Sequence, residues 1–101
     1  MSPQIEINQG RIAEFCRKWM VTEFALFGSV VREDFTSESD VDVLVTLSPD
    51  APWSLYEWVD MIDELQDIFG RKVHLVEKSG LRNPIRRREI VTTKQVVYAT
   101  S

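Results

Sequence analysis

One cysteine, one histidine, four glycines and four prolines in 101 residues leave several classes of protein without support. A single thiol, Cys16, excludes an internal disulfide and any multi-cysteine metal site. It falls on a predicted helix beside Phe15 and Trp19, so buried bulk is its expected role. No repeat, low-complexity stretch or internal linker is visible. No apolar run approaches the roughly 20 residues needed to span a bilayer. The N-terminus has no basic region leading into an apolar stretch, and a cytoplasmic protein is expected. Basic residues are also in short supply, 12 against 16 acidic, for a net charge of −4. That balance counts against general nucleic-acid binding, which draws on a basic face. The remaining composition, 44% hydrophobic and 28% charged, is that of an ordinary globular chain. The length suits one domain over residues 1–101.

Against this background one constellation stands out: Gly28-Ser29, then ten residues, then Asp40-Val41-Asp42. The surrounding sequence predicts a strand over 21–27, a Gly-Ser turn, a short helix over 30–35, a polar loop over 36–39 and a second strand over 41–46. A Gly-Ser turn opening a helix offers backbone N–H groups and a hydroxyl to an anion, and the helix dipole favours negative charge there. Side chains alternate across a strand, so Asp40 and Asp42 share one face while Val41, Val43 and Val45 point to the other, into a core. Two neighbouring carboxylates repel unless a cation lies between them, and such hard ligands suit Mg²⁺ or Mn²⁺ bridging to phosphates. A nucleoside triphosphate with its metal satisfies both halves.

The remaining elements read from periodicity and punctuation. Residues 5–20 predict an amphipathic helix, weakened by Gly10. A long helix starts at the capping pair Ser54 and Glu57, repeats apolar residues from Leu55 to Phe69, and ends at Gly70. Residues 73–77 predict a third strand. Asn83-Pro84 opens a short helix carrying arginines, and 95–99 reads as a last strand. Strands separated by helices give a two-layer α/β arrangement with a small mixed sheet. Trp53, Tyr56 and Trp58 lie near the long helix start, where core packing is favoured over stacking on a base or a partner.

At Gly28-Ser29 and Asp40-Val41-Asp42 the chain resembles the nucleotidyltransferase superfamily with a DNA polymerase beta type of palm. At this length it is similar to the minimal nucleotidyltransferases that act as antitoxins to HEPN-domain toxins. Arg32 matches a basic residue of that family's Gly-Ser-x-x-Arg run, and Arg71 to Val76 matches its third strand. The resemblance covers residues 5–99 and implies an α/β (α+β) fold, a small mixed sheet with helices packed on it.

It further implies transfer of AMP from ATP to a hydroxyl, a tyrosine of a cognate HEPN RNase toxin, which is thereby silenced. Asp40 and Asp42 would hold Mg²⁺ or Mn²⁺, two ions about 4 Å apart stabilising attacking and leaving oxygens. Ser29 and the Gly28–Ser29 amides would hold phosphates. Arg32 either neutralises further charge or is a solvated helix arginine. Active members carry a third carboxylate on the strand beside the aspartate pair, and His74 stands there instead. Imidazole adds no negative charge and suits Mg²⁺ poorly. Glu77, three residues on, falls on the opposite strand face. Two readings of the protein follow, a slower enzyme using His74 or an antitoxin that neutralises its toxin by binding, with an ordinary strand histidine near solvent as the alternative for the residue itself. A third, a nucleic-acid modifier using Arg82 and Arg86 to Arg88, has the acidic total against it.

Overall fold

The structure, a computed structural model, describes residues 8–28, 40–80 and 84–100. Four strands, β1 (Val21–Phe27), β2 (Val41–Leu47), β3 (Val73–Glu77) and β4 (Gln95–Ala99), form one sheet in the order β3-β2-β1-β4. β1 is antiparallel to both β2 and β4, and β3 is parallel to β2. Thus β2, β3 and β4 run one way and β1 runs against them. Parallel strands need crossovers. Helix α2 (Leu55–Phe69) supplies the one from β2 to β3, and α3 (Pro84–Thr93) the one from β3 to β4. Helix α1 (Gln9–Trp19) precedes the sheet.

The helix ends follow local chemistry. The Asn8 side chain accepts from the Arg11 N–H at 3.1 Å and caps α1. Met20 closes it in the left-handed region at φ 60°. At α2 the Glu57 carboxylate reaches back to accept from the Ser54 N–H at 2.9 Å and from the Ser54 hydroxyl. Gly70 ends α2 with φ 69°, its N–H donating to the Gln66 carbonyl at 2.8 Å. A left-handed residue at that position is the usual reason for glycine.

One sheet face carries the larger core. Ile12, Phe15 and Trp19 of α1 and Met61 and Leu65 of α2 pack on Phe24, Leu26, Val41, Val43, Val45, Val73 and Leu75. Trp19 ties the two helices to the chain between them. Its indole donates to Glu64 at 2.6 Å, and its carbonyl accepts from the Trp53 indole at 2.7 Å. Trp53 and Trp58 are partly buried against this core, whereas Tyr56 is 85% exposed. Cys16 is buried here, and burial pushes its thiol up to about 12.

The fold class is the expected one, a mixed sheet with helices on it, with one difference. The second face is covered as well: Ala25, Phe27, Leu44 and Ile90 form a smaller core there, with Val76 against it. Ile90 belongs to α3, so helices lie on both faces and not on one. Lys94, just after α3, pairs with Glu23 of β1 and pins this crossover to the sheet. Among the described residues no helix is long and apolar enough to cross a membrane.

Candidate functional site

The site is set by where β1 ends and β2 begins, at one end of the sheet. The antiparallel register places Phe27 opposite Asp42, so the chain leaves β1 at Gly28 directly beside the Asp42 side chain. Gly28 has φ 72°, a conformation that other residues adopt only at a cost. Space imposes a second demand. A Cβ at Gly28 would overlap Asp42 Oδ2 and lie 3.1 Å from Cγ and 3.3 Å from Cβ. Glycine is therefore needed for backbone conformation and for clearance, and the carboxylate rests where any other residue would intrude.

On the other side of β2, the parallel register aligns Asp42 with His74. The His74 Nδ1 lies 3.4 Å from Asp42 Oδ1, an ion-pair distance when the ring is protonated and long for a hydrogen bond. Asp42 is the more enclosed of the two, its side chain 23% exposed against 59% for His74. Asp40 sits one residue before β2 and is exposed. Glu77 aligns with Val45, three positions further along the register, so it does not join Asp42 and His74.

Gly28, Asp42 and His74 are thus brought together, with Asp40 at the head of the same strand. Ser29, Arg32 and the predicted helix over 30–35 lie outside the described residues, as does Arg82. Among the described residues no three His, Cys, Asp or Glu side chains gather closely enough to hold a metal ion between them. The donors in place are one carboxylate and one imidazole in contact with each other, with the exposed Asp40 carboxylate nearby in sequence.

Leu44 is what the sequence reading passed over. It lies on the same strand face as Asp42 and is buried by α3, so this face is open only at its first positions. The signal was an apolar residue at an even position of Val41–Leu47, where strict alternation calls for a polar one.

The nucleotidyltransferase domain family matches residues 11–97 of this chain, across the sheet and all three helices. The protein adenylyltransferase MntA of Thermococcus cleftensis is 34% identical over 85 residues, 84% of this chain and 81% of that protein. A crystal structure of a toxin-antitoxin with AMP-PNP contains a similar chain, with a TM-score of 0.73 at 21% identity, covering 94% of this chain and 76% of that one. A complex of tri-AMPylated Shewanella oneidensis HEPN toxin with MNT antitoxin gives a TM-score of 0.63 at 19% identity, covering 91% and 70%. The chain belongs to the nucleotidyltransferase family, among the minimal members related to MntA.

Proposed function

We propose that this protein is an antitoxin-type nucleotidyltransferase that transfers AMP from ATP to a hydroxyl, a tyrosine, of a cognate HEPN RNase toxin. The observation that carries the reading is the meeting of Gly28, Asp42 and His74 at one end of the sheet. The left-handed glycine opens the backbone to a phosphate, and the neighbouring carboxylate and imidazole supply ligands beside it. The relative named protein adenylyltransferase MntA and the AMP groups on a HEPN toxin in a structurally similar complex support the same chemistry.

Asp40 and Asp42 would hold Mg²⁺ or Mn²⁺, which when bound offsets the charge of the phosphates and of the leaving pyrophosphate. The backbone amide at Gly28 would face the phosphates, with the Asp42 carboxylate filling the space a side chain would take. Ser29 and Arg32, outside the described residues, would add a hydroxyl and a guanidinium. The acceptor hydroxyl attacks the α-phosphorus, the bond to the β-phosphate oxygen breaks, and pyrophosphate leaves. His74, beside Asp42, would take the hydroxyl proton through a ring nitrogen.

His74 also favours a second reading, an antitoxin of low transfer activity that neutralises by occluding its partner. Incubation of the pure chain with labelled ATP, Mg²⁺ or Mn²⁺ and the product of the neighbouring gene separates the two. Transfer is expected to be slow but measurable, better with Mn²⁺ and lost in Asp42→Asn. If the missing carboxylate limits the reaction, His74→Asp restores a ligand and base at that strand position and should raise transfer about tenfold or more, the scale of one positioned acid–base group. No transfer by wild type or His74→Asp, with protection retained in Asp42→Asn, would select binding over catalysis.

A further inference from the structure

Three positions follow one another across the site end of the sheet: Gly28 where β1 ends, Asp40 and Asp42 at the head of β2, and the start of β3 beyond them. The β2–β3 ladder opens with the Val41 N–H donating to the Lys72 carbonyl at 3.0 Å, which fixes the Lys72 backbone against β2. In the register that follows, Val41 aligns with Val73 and Asp42 with His74. One position back, Lys72 stands opposite Asp40, each a single residue ahead of its strand.

Lys72 is exposed, and its ammonium enters no ion pair among the described residues. Other cations are committed: Arg11 to Asp67, Lys18 to Glu64 and Lys94 to Glu23. Lys72 thus has its backbone held at the site and its charge uncommitted. No signal in the sequence singled it out, because its place beside Asp40 comes from the parallel pairing of two strands.

The use of such a cation rests on the nucleotide site proposed above. Neighbouring strands lie about 4.8 Å apart, which puts β3 roughly 10 Å from β1 with the aspartates between. A triphosphate with its terminal phosphates on the Gly28–Ser29 amides carries its α-phosphate across β2 toward β3. In-line displacement places the leaving pyrophosphate and the entering hydroxyl on opposite sides of the α-phosphorus. With the leaving side at Gly28, the entering side is at β3. Asp40 and Asp42 add negative charge to that of the phosphates, and a lysine ammonium is a point charge suited to phosphate oxygen.

We infer that Lys72 binds a non-bridging oxygen of the nucleotide's α-phosphate, on the side from which the acceptor hydroxyl enters. The β- and γ-phosphates lie at the other strand, beyond this contact. Lys72 is therefore a determinant of nucleotide binding that pyrophosphate alone does not engage.

Calorimetry on the full chain tests this with two probes, ATP and inorganic pyrophosphate, each with Mn²⁺. Lys72→Met is expected to weaken ATP about tenfold, the scale of one hydrogen bond to a charged group, and pyrophosphate less than twofold. Lys72→Arg should retain most of the ATP affinity. Arg17→Met, which removes an exposed cation from the last turn of α1, should leave both probes unchanged. Circular dichroism establishes that each variant is folded before it is scored. Unchanged ATP affinity in Lys72→Met overturns the inference, as does an equal loss for both probes or the same loss in Arg17→Met. If ATP binding is lost in Asp40→Asn with Asp42→Asn but kept in Lys72→Met, the nucleotide site stands and the Lys72 contact alone fails. Absence of ATP binding by wild type overturns both.

Discussion

Gly28 and Gly70 have almost the same left-handed backbone, φ 72° and 69°, in different surroundings. Nothing lies within 4 Å of a Cβ built on Gly70, whereas at Gly28 that atom meets the Asp42 carboxylate. The pair separates a folding demand from a site demand. Gly70→Ala is expected to cost about 1 kcal/mol of stability, from the left-handed backbone alone, with metal-dependent ATP affinity unchanged. Gly28→Ala should carry a similar backbone cost and also displace Asp42, lowering that affinity more than tenfold. Thermal melts and calorimetry on the two variants check both halves, and equal ATP binding by Gly28→Ala would remove Asp42 from the proposed site. Gly28 was legible as a candidate because Gly-Ser stands before Asp-x-Asp. Its contact with Asp42 was not legible, since it depends on the register of two strands separated by thirteen residues.

Helix α2 was readable at both ends because its signals are local: Ser54 and Glu57 at the start, Gly70 at the close, apolar residues between. The Glu57 carboxylate is held below its ordinary range first by the Ser54 hydroxyl and then by backbone N–H groups. A carboxylate whose pKa is lowered on folding binds its proton less readily in the folded state. Its contribution is complete above the ordinary carboxylate range and is lost as pH falls through the lowered value. Glu57→Gln keeps an acceptor but removes the charge. The variant should therefore be less stable than wild type at neutral pH, with the difference vanishing in acid, as followed by urea unfolding across that range. A gap that persists unchanged to low pH would exclude the charge as its origin. The strands fared similarly: β1 and β3 have the predicted bounds, and β2 extends one residue further, to Leu47.

Across the whole molecule, the sheet brings the candidate ligands together only in the folded state, so nucleotide binding should register as stability. A ligand that binds only the native chain adds about 2.7 kcal/mol at a concentration one hundred times its Kd, which moves the Tm of a chain this size by roughly 10 °C or more. Mn²⁺ with ATP is expected to produce such a shift in wild type, larger than Mg²⁺ with ATP, and none in Asp40→Asn with Asp42→Asn. Differential scanning fluorimetry gives the comparison. An equal shift in that double variant would place the ligand elsewhere.

The amino-acid sequence by itself determined the elements and the residues that could do chemistry, because caps, turns and alternation act over a few residues. It marked Cys16 and the valines of β2 as core, and it put Asp40 on the strand with Asp42, whereas β2 begins only at Val41. Only the tertiary structure decided which residues meet. The antiparallel register set Asp42 over Gly28, the parallel one set His74 beside it, and the second crossover laid Ile90 of α3 over Leu44. Those pairings join positions far apart in the chain. They are selected by burying both faces of one sheet at once, a condition no short window of sequence contains.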